Sequence, residues 1–197
     1  MPACHHRHSI RLQGYDYSQA GGYFVTIATF WRECLFGEIL DDTMQVNALG
    51  SIVQECWDDV PIHLPNVDTD AFVVMPNHVH GILFIHENDG RTATSPSAVG
   101  ATHASPVPKN NIRPRGPSSR SLGAIIGSFK SSVTRRAGGE FNTANIWQRN
   151  YYEHIIHHQA EYERIAGYIL SNPANWAADE DHPMNAAGKY NKHRQRR

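Results

Sequence analysis

Two histidines one residue apart are the first candidates for chemistry in this chain. His78 and His80 lie in the apolar segment 76–85, PNHVHGILFI, which has the composition of a β-strand. Successive side chains of a strand point to opposite faces, so both imidazoles must point the same way. Two imidazoles on one face supply two ligands for a divalent metal ion. Two hydrogen-bonded structural histidines would give the same pattern, and so short a motif leaves both interpretations open.

A tyrosine and an asparagine near the end of the chain form a second candidate pair. Residues 159–171 show helical periodicity, and Tyr168 lies off the centre of the apolar stripe. Asn172 follows four residues later and therefore shares a helix face with Tyr168. The helix presents a phenol and an amide together beside its buried edge. An ordinary boundary tyrosine would satisfy the same pattern. The stripe consists of Tyr162, Ile165, Ala166, Ile169 and Leu170.

The composition indicates one cytoplasmic domain. The chain has 197 residues, of which 40% are hydrophobic, enough for one domain with a core. No apolar run reaches the roughly 20 residues that span a bilayer, so no membrane contact is expected. The first residues lack the apolar core of a signal peptide. Cys4, Cys34 and Cys56 are far apart and show no CxxC spacing, which favours a reducing compartment over a disulfide framework.

Charge is distributed unevenly, although the net charge is only −1. From Gly90 to Gly139 there are eight Lys and Arg residues and no Asp or Glu, and the tail 189–197 is basic again. A neutral protein with one strongly basic section is typical of a polyanion binder. A solvated basic loop is the alternative interpretation.

The predicted elements form a βαββαβ series followed by one more helix. Apolar residues on both faces of the histidine strand predict a sheet that is covered on both sides. This order predicts an α+β fold, the ferredoxin-like antiparallel sheet, with an additional C-terminal helix carrying Tyr168. We expect a single domain over 1–197, with a flexible Pro- and Ser-rich insertion at 87–121 and a basic tail at 186–197. The predicted strands cover 23–30, 71–75, 76–85 and 145–156, with a further extended piece at 35–46; the predicted helices cover 49–60 after an N-cap at Asn47 and before Pro61, 122–133 before Gly138 and Gly139, and 159–171.

At family level, the chain resembles the single-tyrosine HUH transposases, and in particular the REP-associated tyrosine transposases. The resemblance covers nearly the whole chain. Four sequence blocks in the right order are far more specific evidence than any single block. It also implies a prokaryotic, nucleoid-associated protein that acts on single-stranded or hairpin DNA as a monomer or homodimer. The blocks are IRLQGYDYSQAGGYFVTIATF, FVVMPNHVHGILFI, LGAIIGSFKSSVTRR and the stretch from Trp147 to Trp176, which contains WQRNYYEHII and YILSNPANW.

The resemblance assigns roles to the candidate residues. It implies that His78, His80 and Asn172 hold a divalent cation, Mg²⁺ or Mn²⁺, and that Tyr168 is the nucleophile. Attack on a phosphodiester would give a covalent 5′-phosphotyrosine and a free 3′-OH. The sequence departs from the family in the length of the 87–121 insertion and in His157-His158, where relatives often carry a basic residue.

DNA contacts are expected from the basic section and from aromatic side chains that can stack on bases. Tyr151 and Tyr152 are rival candidates for the nucleophile, although a position on a strand favours packing or base stacking. His154 on the same predicted strand could contact DNA or pack. The predicted DNA-binding residues are Lys130, Arg135, Arg136, Arg120, Trp147, Arg149, Tyr151, Tyr152 and His154.

Two other function classes remain open at the level of sequence. A DNA-binding regulator of repeat elements would keep the fold without cleaving DNA. A metal hydrolase or cupin-like oxygenase built on the HxH pair would need a further His or Glu ligand on neighbouring strands, and it would leave the acid-free basic section unexplained.

Overall fold

A four-stranded antiparallel sheet forms the centre of the structure. The structure, a computed structural model, describes residues 15–87, 121–138 and 145–185. Within these ranges the strands are β1 (Gly21–Ala28), β2 (Gly37–Leu40), β3 (Thr43–Val46), β4 (Val67–Met75), β5 (His78–Ile85) and β6 (Tyr152–Ile156). The helices are α1 (Ala48–Asp58), α2 (Val60–His63), α3 (Leu122–Ala137) and α4 (Gln159–Ser171), together with short 3₁₀ turns at Phe30–Arg32 and Pro173–Ala178.

The order of the strands confirms the predicted ferredoxin-like fold. The main sheet runs β4-β5-β1-β6, with every neighbouring pair antiparallel. Both crossover helices, α1 and α3, connect strands that are not neighbours, as the split βαβ arrangement requires. The histidine strand β5 is therefore an inner strand, where side chains from both neighbouring strands surround it.

The two faces of the sheet carry different layers. Side chains of one parity on β1 and β5, such as Val25 and Val79, pack with α1 and α3 in the larger core. The opposite parity, which includes Phe24 and Ile82, packs with Ile165 of α4. The sheet is thus covered on both sides, as predicted. His78 and His80 have the parity of Ile82 and face the layer that contains α4.

Helix ends follow the predicted capping residues. The side chain of Asn47 accepts a hydrogen bond from the Gly50 amide at the start of α1, and Gly138 is the C-cap of α3. The prediction that Pro61 ends the first helix is corrected in detail: α1 ends at Asp58, and Pro61 lies in the first turn of the separate helix α2. Proline is tolerated there because the first-turn amides of a helix have no intrahelical acceptor.

One predicted extended segment agrees with the structure, and another is shorter than predicted. The piece at 35–46 is the separate hairpin β2-β3, outside the main sheet. The strand predicted over 145–156 is ordered as a strand only in β6, and Trp147 forms just an isolated bridge with Thr29. Between these points the Lys130 ammonium donates hydrogen bonds to the carbonyls of Gln148 and Asn150, which removes those acceptors from sheet pairing.

Two further predictions fall largely outside the described residues. These are the insertion at 87–121, described only at its two end residues, and the tail at 186–197, and both stay predictions. Among the helices that the structure describes, none combines the length and apolar character needed to cross a membrane.

Candidate metal and tyrosine site

The two imidazoles of β5 face each other in the interior. His78 and His80 are 0% and 4% exposed, and their Nε2 atoms lie 3.0 Å apart. The Nδ1 atom of His78 lies 2.8 Å from Oδ1 of Asn77, and Nδ1 of His80 lies 2.8 Å from the hydroxyl of Thr26. An amide oxygen only accepts hydrogen bonds, so His78 carries its proton on Nδ1 and its Nε2 lone pair is available. The Thr26 hydroxyl can accept from a protonated Nδ1 of His80, which makes the Nε2 lone pair of His80 available as well. This arrangement is usual for metal-bound histidine.

Electrostatics keeps both rings neutral at physiological pH. Burial, followed by the neighbouring His80 ring and the positive charge of Arg32, holds the pKa of His78 well below its usual value. Burial, followed by the charge of Arg32, lowers the pKa of His80 to about 3. A neutral imidazole can donate a lone pair to a cation, and a protonated ring cannot.

The C-terminal segment brings a carboxylate oxygen to the histidines and carries the predicted amide donor. The predicted donor Asn172 is 2% exposed, and among the described residues its buried Oδ1 has no hydrogen-bond partner. A buried oxygen without a donor is rare and is consistent with a site for a cation. An Asp179 carboxylate oxygen and one nitrogen of each histidine all lie within 4.8 Å of one another. The group His78, His80 and Asp179 could therefore hold a metal ion, and the predicted role of Asn172 as a further ligand stays a prediction.

The donor set restricts the class of metal but leaves its identity open. Imidazole nitrogens together with carboxylate or amide oxygens suit Mn²⁺, Fe²⁺ and Zn²⁺, and they accept Mg²⁺ when waters fill the remaining positions. The residues present thus fit the divalent cation that the resemblance implies.

Tyr168 lies beside the histidines. Its hydroxyl is 3.3 Å from Nε2 of His80, its ring packs against the edge of Phe24, and the side chain is 46% exposed. Burial, followed by the negative charge of Asp179, raises the pKa of the phenol, while a hydrogen bond with Asn172 acts in the opposite direction. The structure therefore brings the predicted phenol and the paired imidazoles together within one chain.

Helix α4 fixes the position of that phenol. Ile165 and Ile169 are buried against the sheet, and the Tyr162 hydroxyl donates a 2.7 Å hydrogen bond to Asp70 of β4. At its start, the His158 side chain caps the helix by accepting from the Glu161 amide at 3.2 Å. Packing and capping together fix the helix rotation that directs Tyr168 toward His80.

An open cleft of about 580 Å³ gives access to this cluster. Tyr152 and His154 of β6 lie along it, so two of the predicted DNA-binding residues belong to the site. Arg32 also lines it and forms an ion pair with Asp181. The lining residues are Phe24, Thr26, Arg32, His80, Tyr152, His154, Arg164, Ile165, Tyr168, Asp179, Glu180 and Asp181.

The other predicted DNA-binding residues lie elsewhere. The two arginines Arg135 and Arg136 end α3, on the opposite face of the sheet from the histidines, and Arg136 pairs with Asp59 of the region after α1. The Lys130 ammonium donates hydrogen bonds to backbone carbonyls of the segment before β6. Trp147 and Tyr151 pack against the larger core, Arg149 is exposed and Arg120 lies outside the described residues. Their contact with DNA stays a prediction.

Four residues of the site were not singled out by the sequence analysis. Asn77 precedes the first histidine and orients its ring, so its place in the PNHVH block was a usable signal. Asp179 belongs to an acidic run, Asp179-Glu180-Asp181, that is visible in the sequence only as local charge. Thr26 and Arg32 offered no sequence signal, because only the strand register and the turn after β1 bring them to the histidines.

Comparison with known proteins identifies a relative by sequence and a similar fold among solved structures. No known family profile matches the chain. An uncharacterised protein of Haemophilus influenzae is 42% identical over 176 residues, which cover 89% of this chain and 93% of that protein. Among solved structures, a REP-associated tyrosine transposase bound to a REP hairpin matches with a TM-score of 0.54 and 19% identity, over 86% of this chain and 74% of that one. At this identity the second likeness shows the fold alone.

Proposed function

The chain belongs to one family with the uncharacterised Haemophilus influenzae protein, and we propose that it cleaves and rejoins single-stranded DNA through a tyrosine nucleophile and a divalent metal ion. The observation that carries this proposal is the 3.3 Å separation between the Tyr168 hydroxyl and Nε2 of His80, at a cluster of two buried imidazoles and a partly buried carboxylate. The fold shared with a tyrosine transposase supports it.

The donors around the cleft would supply the electrophilic half of the reaction. His78, His80, Asn172 and Asp179 would hold Mg²⁺ or Mn²⁺, which when bound neutralises and orients a phosphodiester. The two imidazoles and the amide carry no charge, so with Asp179 as the one anionic ligand the divalent cation would keep a net positive charge for the phosphate. The buried strand and its Asn77 and Thr26 partners fix both rings before substrate arrives.

Tyr168 would supply the nucleophilic half. Its oxygen loses its proton and forms a bond to phosphorus while the bond to the 3′-oxygen breaks, and that oxygen takes up a proton and leaves as a 3′-OH, so no proton is consumed overall. The DNA end remains attached as a 5′-phosphotyrosine. Attack of a 3′-OH on this ester reverses the step and restores the phenol. One phosphodiester is exchanged for another, so rejoining requires no nucleotide hydrolysis.

The raised pKa of Tyr168 bears on this step. A phenol with an ordinary pKa of about 10 is already a weak nucleophile at neutral pH, and burial weakens it further. Positive charge close to the oxygen favours the phenolate and offsets burial. The cation site, Arg32 and Arg164 are positive groups that line this cleft, so activation of the phenol and phosphate binding would take place in the same cleft.

The bases of the DNA would lie on aromatic side chains along the cleft. Tyr152 is 46% exposed, lines the cleft and packs against Phe24, as Tyr168 does. Stacking of one base on such a ring contributes about 1–3 kcal/mol. A single strand with its backbone at the cation site and a base on Tyr152 would satisfy both features, and a hairpin beside it would match the substrate of the structural relative.

Formation of a covalent complex tests the proposal. Purified protein is incubated with Mn²⁺ and a 3′-labelled single-stranded DNA that carries a hairpin, because the label then stays with the 5′-phosphotyrosine product. Denaturing electrophoresis should show a protein–DNA adduct that Tyr168→Phe and chelation abolish. Tyr152→Phe is the matched control, which keeps the stacking ring and should therefore keep both DNA binding and the adduct. DNA binding without an adduct would instead favour a non-cleaving regulator.

A further inference from the structure

The turn that follows β1 has an unusual backbone. Trp31 and Arg32 both adopt positive φ angles, 57° and 55°, which non-glycine residues rarely occupy. Such conformations cost on the order of 1 kcal/mol or more each and persist only where surrounding contacts impose them. Here the Arg32 amide donates to the Thr29 carbonyl at 3.1 Å, and the Thr29 hydroxyl donates to the Glu33 carbonyl at 2.7 Å.

The turn is attached directly to the histidine strand. Nδ2 of Asn77 donates to the carbonyl of Arg32 at 3.1 Å, while Oδ1 of the same amide faces His78 at 2.8 Å. One buried amide therefore fixes both a histidine of the cluster and the backbone of Arg32. The strained turn holds a guanidinium in the cleft that contains His80 and Tyr168.

The Asp181 carboxylate that pairs with Arg32 is largely buried, which is unfavourable for a charged group. The two side chains form an ion pair, and Arg32 and Asp181 are only 19% and 14% exposed. Removing two charges from water costs free energy that the attraction only partly offsets.

A guanidinium binds carboxylate and phosphate oxygens with the same geometry. Its planar N–H donors form two parallel hydrogen bonds to either anion. The main chain of Asp181 is held independently, because its carbonyl accepts a 2.8 Å hydrogen bond from Asn77. The side chain of Asp181 can therefore rotate away while its backbone stays in place, and an incoming phosphate oxygen can take its position.

We propose that Arg32 is the phosphate-binding residue of the cleft, and that Asp181 occupies its guanidinium only until DNA enters. The phosphate bound is the one that Tyr168 attacks, so the inference rests on the proposed function and adds the protein's own cation to that site. In this arrangement Arg32 contacts the substrate, whereas Asp181 competes with it.

Opposite changes in DNA affinity on loss of Arg32 and on loss of Asp181 distinguish this proposal from a purely structural ion pair. If Arg32 binds phosphate, its loss weakens DNA binding, while loss of Asp181 strengthens binding by freeing the guanidinium. If the pair only holds the C-terminal segment against the turn, either loss lowers the unfolding temperature, and DNA affinity either stays unchanged or falls in both variants.

The experiment measures affinity without cleavage. Full-length Tyr168→Phe protein is titrated against a fluorescent hairpin-bearing single-stranded DNA, and anisotropy is followed at several salt concentrations. Adding Arg32→Gln should weaken binding about tenfold and reduce the salt slope by about one. The DNA affinity of the Arg32→Lys variant should lie between that of the parent and that of Arg32→Gln, because lysine keeps the charge without the planar guanidinium. Adding Asp181→Asn should tighten binding by about threefold or more.

The neighbouring acid supplies the control for general charge. Glu180→Gln removes one negative charge from the same segment and leaves the Arg32–Asp181 ion pair in place, so it should change affinity by less than Asp181→Asn does. Affinity that is unchanged or lower in both Arg32→Gln and Asp181→Asn would overturn the proposal. If Arg32→Gln fails to fold, the sign of the Asp181→Asn effect still decides.

Failure of this inference differs from failure of the proposed function. A wild-type protein that forms no adduct, but whose variants change affinity in opposite directions, would refute cleavage and retain Arg32 as a phosphate ligand. A wild-type protein that forms the adduct, with no opposite effects, would retain cleavage and refute the role of Arg32.

Discussion

At the scale of single residues, the hydrogen bond at Nδ1 of each histidine determines whether its Nε2 can bind a metal ion. The HxH spacing is enough to predict that His78 and His80 share a face, because strand geometry has a period of two. Their Nδ1 partners could not be predicted equally well. Thr26 reaches His80 only because β1 and β5 pair in a register that places these two residues opposite each other, and no local pattern specifies that register.

The Thr26 contact leads to a prediction about metal affinity. Thr26→Val removes the hydroxyl and keeps the shape, so the His80 ring loses the partner that orients it. Loss of such a partner lowers metal affinity by roughly 10- to 100-fold. Calorimetric titration with Mn²⁺ should show this loss in Thr26→Val, and near-native affinity in Thr26→Ser. Equal affinity in the valine variant would show that the hydroxyl does not support the site.

At the scale of elements, helix α4 shows what periodicity can and cannot specify. Its predicted bounds, 159–171, are confirmed, because the apolar stripe and the following Asn172-Pro173 define both ends. The carboxylate donor of the cluster is a different case. Asp179 follows a short 3₁₀ turn, where neither propensity nor periodicity predicts the direction of the chain, so its approach to the histidines emerged only from the three-dimensional structure.

The start of α4 should respond to acid. Hydrogen bonds from the His157 amide and the His154 side chain lower the pKa of Glu161 from 4.5 to about 2. The folded pKa lies below the unfolded value, so the stabilisation is complete above about pH 4.5 and is lost as the pH falls toward 2. Glu161→Gln should therefore lower the thermal midpoint at pH 6, by an amount that shrinks as the pH falls through that window. Glu163→Gln, two residues along the helix, should show a smaller effect, and an equal one would contradict this account.

A close approach on the other face of β5 gives a second element-scale prediction. A Cβ added at Gly81 would lie 2.5 Å from Cζ2 of Trp57, whose indole stacks on Phe72 at 4.5 Å. Gly81→Ala should cost about 1–3 kcal/mol through overpacking. Gly127→Ala in α3 meets open space and should stabilise the protein by about 1 kcal/mol through helix propensity. Urea denaturation of both variants checks the pair, and a Gly81→Ala protein as stable as the wild type would contradict the packing described.

At the scale of the whole molecule, the sheet separates two charged surfaces. The chemistry lies on the α4 side, whereas Arg135 and Arg136 of the predicted basic surface lie at the end of α3 on the other side. The sequence showed which residues are basic, but charge along a chain does not say which face of the sheet each residue reaches. Tyr152 and His154 reach the cleft because β6 pairs with β1 at the edge of the sheet.

The salt dependence of DNA binding should identify the surface that is used. Arg164 lines the cleft, and its side chain is 70% exposed. If DNA follows the cleft, Arg164→Gln should reduce the slope of log affinity against log salt by about one. Arg135→Gln, an exposed change on the far side, should leave the slope unchanged. The reverse result would move the DNA to α3 and support the sequence-based assignment of Arg135.

The most direct test of the central claim is to locate the covalent bond. The adduct formed with Mn²⁺ and hairpin-bearing single-stranded DNA is digested with nuclease and protease, and the nucleotide-bearing peptide is sequenced by mass spectrometry. The structure predicts that the phosphate is attached to Tyr168, because this hydroxyl lies 3.3 Å from Nε2 of His80. Attachment to Tyr151 or Tyr152, or a wild-type protein that never acquires a nucleotide, would contradict the account.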